Sequence, residues 1–276
     1  MRSTEKCSTE LRSVGAPGSR SRESFQRRVA LGILIAAAVL LPAAAQAPPP
    51  PASHPPGASA FVVVLDPAHG GDDAGASIAG SGSNPEAEKN FTLVLSVRLR
   101  SLLAARGITV VTTRESDVAL DASRRAEIAN HAEAQACLSI HASMNGSGNG
   151  AENGPGVHLF ISSLNPAQPA RFVPWKTAQA AWISRSVALA GVLNSVLLQD
   201  GIPVTLGRTA LTTVDSMTCP AVVVEVAPEK APGATSGHAS ASLIDDSTYQ
   251  AHIAKAIADA LLEWRTADAH LGDRQP

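Results

Sequence analysis

The sequence predicts an α/β fold, a mixed and largely parallel sheet sandwiched by helices in one domain. Short β-branched apolar runs such as Val62-Val63-Val64-Leu65 and Ala221-Val222-Val223-Val224 have the length and composition of buried strands. Between such runs lie segments whose apolar residues recur at helical spacing. Strands that alternate with helices build a sheet from parallel crossovers, with helices packed on its faces.

The elements follow in order. Residues 61–66 form an apolar strand that runs into a Gly-rich stretch, as a strand feeding a functional loop does. Pro85 and the acidic Glu86 and Glu88 open a helix over 86–106, on which Leu93, Val97, Leu99 and Leu103 recur, and Gly107 stops it. The next strand is 108–112, followed by a helix over 121–132 with Asp121 near its cap, and a third strand over 136–140. A strand over 156–161, a long amphipathic helix over 175–199, an apolar strand over 221–226 and a closing helix over 249–265 complete the domain. The loops 77–85 and 143–155 are rich in Gly, Ser and Asn and read as cleft rims.

Ahead of this domain, Arg27 and Arg28 precede an apolar run over 29–41, then Pro42 and the small residues Ala43-Ala44-Ala45-Gln46-Ala47. Charged, apolar and small-residue regions in that order read as a secretory signal peptide over 1–47 that is removed after Ala47. The apolar run is shorter than the roughly 20 residues that span a bilayer, so no stable membrane insertion is expected once the signal is cleaved. Residues 48–59, with Pro48-Pro49-Pro50-Pro51, lack the amide donors of regular structure and read as a stiff linker. The domain then occupies 60–268 and a tail 269–276. An exported protein without a lipid-anchoring Cys after the cleavage site fits the periplasm.

Residues 1–47 hold seven Lys/Arg against three Asp/Glu, which leaves fifteen against twenty-one for the remainder. The folded part is therefore acidic, and a nucleic-acid partner, which needs a basic face, is not expected. Aromatic residues make up 3% of the chain, too few for stacked rings to be the main grip on a sugar. Cys7 leaves with the signal. Cys137 and Cys219 each precede an apolar run, where a small buried thiol is the default, and a disulfide between them is open to an exported protein.

In a parallel sheet, ligands gather beyond the carboxyl ends of the strands. There the sequence places His69 after the first strand, His141 after the third, and Glu225 near the end of the apolar run Val222-Val223-Val224, while Glu88 opens the first long helix. Two imidazoles and a carboxylate are the ligands zinc uses when it keeps one position open for water, and a further carboxylate can shuttle the water's proton. His69, Glu88 and His141 supply the first set, and Glu225 the second. Each has a plainer explanation when taken alone: a hydrogen-bonded histidine, or a helix-start acid favoured by the dipole. Glu225 is the exception, because a carboxylate in an apolar strand is costly to bury without a task.

These residues resemble the zinc-dependent N-acetylmuramoyl-L-alanine amidases that cleave peptidoglycan. Val64-Leu65-Asp66-Pro67-Ala68-His69-Gly70-Gly71-Asp72-Asp73-Ala74-Gly75-Ala76 is similar to the opening signature of that family, in which the His binds zinc. Glu88-Lys89-Asn90 and Leu138-Ser139-Ile140-His141-Ala142 resemble its other two ligand motifs. Thr113-Arg114-Glu115-Ser116-Asp117 and Arg125-Ala126-Glu127-Ile128-Ala129-Asn130 resemble its middle motifs, and Pro220-Ala221-Val222-Val223-Val224-Glu225 its catalytic strand. After Glu225 the family continues with Gly-Phe and an Asn-bearing turn, whereas this chain reads Val226-Ala227-Pro228-Glu229.

The resemblance implies a zinc hydrolase with His69, Glu88 and His141 as metal ligands and Glu225 as the catalytic acid-base. Its substrate is the amide between N-acetylmuramic acid and L-alanine of peptidoglycan, cut in wall remodelling or daughter-cell separation. Peptidoglycan is the implied partner, together with an unidentified activator protein. Arg125 is expected to pair with a carboxylate near the cleft, and Asn130 to support a turn or helix end. The alternative is a non-catalytic peptidoglycan-binding or regulatory module on the same fold.

Overall fold

The computed structural model describes residues 60–78, 86–143, 155–167, 172–228, 244 and 246–272, all within the unit Pro55–Pro276. The signal and linker readings lie outside the described residues, as do 79–85 and 144–154 of the two proposed rims.

The strands, in chain order, are β1 (Val62–Pro67), β2 (Ser77–Ile78), β3 (Glu86–Ala87), β4 (Thr109–Thr112), β5 (Ala136–Ala142), β6 (Gly156–Ser162), β7 (Val204–Thr209) and β8 (Ala221–Ala227). The α-helices are α1 (Glu88–Ala104), α2 (Ala122–His131), α3 (Ile183–Gln199) and α4 (Ser247–Gly272). Six strands form one sheet in the order β4-β1-β5-β8-β6-β7, and β2 pairs with β3 alone. Every pairing in the large sheet is parallel except that of β6 with β8. This is the mixed, largely parallel sheet that the sequence predicts.

Side chains alternate between the two faces of each strand. One face presents Leu65, Leu138, Val222, Val224 and Leu159 to α1, α3 and α4, which contribute Phe91, Leu95, Leu99, Leu103, Leu193, Ile257 and Trp264 to a continuous core. Burying each large apolar side chain there contributes roughly 1.5–3 kcal/mol. The other face presents Val64, Cys137 and Val223 to Ala126 and Ala129 of α2 and to Met217 and Cys219. Asp66, Ser139, His141 and Glu225 share this second face by the same alternation. The apolar stretch of β8 thus reconciles a deep core with a carboxylate: its even-numbered valines enter the core and Glu225 stands opposite.

Several elements differ from the sequence reading. The buried stripe of α1 is Phe91, Leu95, Leu99 and Leu103, each four residues from the last, while Val97 is 43% exposed. The helix expected over 175–199 is two segments at 65°, a 3-10 helix Trp175–Ala181 and then α3, joined at Trp182. Beside the break, the buried Gln179 amide donates to the Cys219 carbonyl at 3.1 Å and to Ser186 Oγ at 3.2 Å. Helix α4 runs on to Gly272 and takes in the first residues of the expected tail. Strand β7 was not foreseen: it is a short edge strand, Val204-Thr205-Leu206-Gly207-Arg208-Thr209, with no buried side chain to mark it. The two cysteines are joined as a disulfide between the start of β5 and the segment leading into β8, with Cα atoms 6.2 Å apart, rather than standing as separate thiols.

Candidate active site

The loop after β1 is shaped by its own hydrogen bonds and by two arginines. Ala68 extends the β1–β5 pairing by donating to the Ile140 carbonyl at 3.0 Å, and His69 then adopts φ 63°, in the left-handed region. Gly70 and Asp73 close a tight bridge by exchanging backbone bonds of 2.9 and 3.2 Å. Arg125 of α2 holds the loop's start, with Nη1 donating to Asp66 Oδ1 and the Pro67 carbonyl at 2.8 Å and Nη2 to the His69 carbonyl at 2.6 Å. This is the carboxylate pairing expected of Arg125. Arg114 donates to the Pro67 and Ala68 carbonyls at 2.9 Å and to the Lys89 carbonyl at 2.7 Å. Asn130 accepts from Thr218 N at 2.7 Å and donates to the Ser216 carbonyl at 3.0 Å, so it ties α2 to the turn before β8.

Helix α1 begins at Glu88, and the loop meets it in register: Glu88 N donates to the Ala76 carbonyl at 2.9 Å and Lys89 N to that of Ala74 at 3.2 Å. Lys89 Nζ bridges the Gly71 carbonyl and Asp117 Oδ2, both at 2.7 Å, while Asp117 Oδ1 accepts from Gly71 N at 2.7 Å. The same turn that starts the helix therefore fixes the loop carrying His69.

His69, Glu88 and His141 converge. Each offers one ligand atom, and those atoms lie within 4.8 Å of one another. Glu88 is almost fully buried between the two imidazoles, with Oε2 3.0 Å from His69 Nε2 and Oε1 3.0 Å from His141 Nδ1. Backbone amides of Ala76 and Ala142 donate to the two oxygens at 2.8 and 3.0 Å and orient the carboxylate. The imidazole rings stand perpendicular with centroids 5.4 Å apart. Burial pushes the Glu88 carboxyl up, but its bonds to His141, His69 and the Ala76 amide outweigh that and hold it far below the usual range. The hydrogen bond to Glu88, reinforced by Asp73, raises His69 against the opposing cost of burial. Two imidazoles and an ionised carboxylate at this spacing fit a zinc ion with an open position.

Glu225 stands beside them. It is the Cα partner of His141 on β5 and of His158 on β6, so the three side chains form one row on one sheet face. Glu225 is 9% exposed, and among the described residues its buried Oε1 has no hydrogen-bond partner. His158 is fully buried, with Nδ1 2.7 Å from Thr205 Oγ1 on the edge strand. The sequence reading passed over His158 because its place in this row depends on an antiparallel register that one strand does not reveal. Asp73 was also passed over, although it lies 2.8 Å from His69 Nδ1. Its four-residue spacing from His69 was visible, but not the turn that brings the two together.

The chain resembles known proteins in sequence and fold. The family model described as N-acetylmuramoyl-L-alanine amidase matches residues 63–263. Among curated relatives, amidase AmiA of Escherichia coli is 42% identical over 81 residues, covering 29% of this chain and 27% of AmiA. The germination-specific amidase of Bacillus subtilis is 36% identical over 94 residues, 29% of this chain and 38% of that protein. The chain thus spans well under half the length of these two relatives. The catalytic domain of the amidase CwlV from Bacillus (Paenibacillus) polymyxa superposes with a TM-score of 0.55 at 25% identity, covering 75% of this chain and 98% of that one. The fold of Ami1 from Mycobacterium smegmatis matches with a TM-score of 0.56 at 23% identity, over 75% and 97%. The matched span runs from the strand that delivers His69 to the helix that closes the core, and it contains Glu88, His141 and Glu225, so the chain belongs to the N-acetylmuramoyl-L-alanine amidase family.

Proposed function

We propose that this protein is a zinc-dependent N-acetylmuramoyl-L-alanine amidase that hydrolyses the amide between N-acetylmuramic acid and the L-alanine of a peptidoglycan stem peptide. The observation that carries the proposal is the convergence of His69, Glu88 and His141 within 4.8 Å, with Glu225 the strand partner of His141. Family membership supports the substrate class.

His69, Glu88 and His141 would hold the zinc, which supplies Lewis-acid activation of water and polarisation of the scissile carbonyl. Glu225 takes the proton of the attacking water and returns it to the departing L-alanine amine. Its buried oxygen, without a hydrogen-bond partner among the described residues, suits a carboxylate kept available for that transfer. Arg125 and Arg114 act at a distance by fixing the loop's carbonyls. The Cys137–Cys219 disulfide supports export to an oxidising compartment, in keeping with residues 1–47 as a cleaved signal, 48–59 as a linker and the periplasm as the address.

The test is digestion of purified peptidoglycan, with products read by mass spectrometry and zinc by elemental analysis. The parent protein should carry one zinc and release stem peptides with a free L-alanine amine. A chelator should stop the reaction and added zinc restore it. Glu225→Gln should keep the zinc and lose roughly 10²–10⁴-fold in rate. Bound zinc without products would instead favour the non-catalytic wall-binding reading, for which the departure after Glu225 is the one motivating feature.

A further inference from the structure

Asp73 has no part in the proton transfers above, yet the loop is built around it. Its Oδ2 lies 2.8 Å from His69 Nδ1, its Oδ1 accepts from Gly75 N at 3.1 Å, and its backbone closes the bridge with Gly70 in both directions. The side chain is 66% exposed. Exposed pairs of this kind contribute little to stability, so the arrangement calls for another explanation.

The two nitrogens of the His69 ring face different groups. Nδ1 faces Asp73, while Nε2 lies 3.0 Å from Glu88, the carboxylate that also meets His141. An ionised carboxylate only accepts hydrogen bonds. Asp73 and Glu88 therefore each call for a ring proton on the nitrogen they face, and only when a metal takes up Glu88 and Nε2 does the proton of a neutral ring belong on Nδ1, beside Asp73. Which nitrogen of a histidine is available to a metal is set by the bond the other one makes. Gly75 is part of the same device. It is tied to Asp73 Oδ1 through its amide, and its Cα packs so closely beneath the His69 ring that an added Cβ would come within 2.6 Å of Cδ2.

We propose that Asp73 is a positioning residue that fixes the tautomer and ring orientation of His69 and so presents Nε2 to the metal. The inference rests on His69 as a zinc ligand. It assigns to an exposed loop carboxylate control over metal affinity, without direct contact with metal or substrate.

The experiment compares the parent protein with Asp73→Ala, Asp73→Asn and, as a neighbouring exposed control, Asp72→Ala. Zinc affinity is measured by competition with a chromophoric chelator, and the zinc-loaded His69 tautomer by long-range proton–nitrogen NMR. Asp73→Ala should weaken zinc roughly 10–100-fold and remove the uniform Nδ1–H signature, while the melting temperature of the metal-free protein stays unchanged. Asp73→Asn, which keeps an acceptor oxygen, should recover part of the affinity, and Asp72→Ala should match the parent. Parent-like affinity in Asp73→Ala overturns the inference alone. A lower metal-free melting temperature in step with the affinity also overturns it, in favour of a purely structural role. A parent that binds no zinc removes the ligand reading, and this inference with it.

Discussion

Gly75 lies directly against the His69 ring: a Cβ on Gly75 would stand 2.6 Å from His69 Cδ2 and 2.7 Å from Glu88 Oε2. Gly75 also has φ +69°, a backbone region that costs other residues roughly 1–2 kcal/mol. Gly107 has a similar φ of +73° with nothing within 4 Å of its Cβ position. Gly75→Ala is therefore expected to lose bound zinc and activity, whereas Gly107→Ala pays the backbone cost alone and keeps both. Zinc content and thermal melting of the two variants check the pair.

The ion pair between Arg125 and Asp66 is buried on both sides, with side-chain exposures of 7% and 2%. Removing one partner strands the other charge, at a cost of about 3–5 kcal/mol. Arg125→Met is expected to destabilise the protein on that scale in urea unfolding. The double variant Asp66→Asn/Arg125→Met should be less destabilised than the sum of the two single changes, because it leaves neither charge buried without its partner.

Asp117 carries a pH dependence of known sign. Its hydrogen bonds from Lys89 and from the Gly71 amide hold its carboxyl below the ordinary value. The stabilisation is present above the unfolded value, near 3.9, and is lost as pH falls through the lower folded value. Parent and Asp117→Asn should therefore differ in melting temperature at neutral pH and converge as the solution is acidified below about 4. A constant difference across that range would show that the carboxyl charge contributes nothing.

The Cys137–Cys219 bond closes a loop with a sequence separation of 82 residues. Chain-entropy arguments place the gain at roughly 4–5 kcal/mol, with measured values for removing a native bond at about 2–5 kcal/mol. Reduction, or the double change Cys137→Ala/Cys219→Ala, should lower the melting temperature while leaving His69, Glu88 and His141 able to bind zinc.

The legible parts of this molecule are those where one physical signal dominates. Strands β1, β5 and β8 are apolar because both of their faces are covered, and their composition reveals them from one dimension. His69 and His141 stood out because ligands gather beyond the carboxyl ends of such strands, and Glu225 because a carboxylate in an apolar strand is costly to bury without a task. Strand β7 escaped because an edge strand needs no buried face, and the break at Trp182 because the apolar spacing runs on through it. Val97 was misplaced on the buried side of α1 because several apolar faces fit the sequence of a helix that packs beneath a sheet. The row His141–Glu225–His158 and the disulfide both depend on strand register, which no single segment carries.

The disulfide also has a mechanical consequence. It clasps β5 and the approach to β8 at the base of the strands, while His141 and Glu225 face each other about 13 Å further along, at roughly 3.3 Å per residue. Two blades riveted at one end and laced by backbone bonds along their length cannot part like tweezers. His141 and Glu225 form a fixed jaw. Glu88, 3.0 Å from His141 and held by the Ala142 amide at 3.0 Å, is pinned to the same jaw.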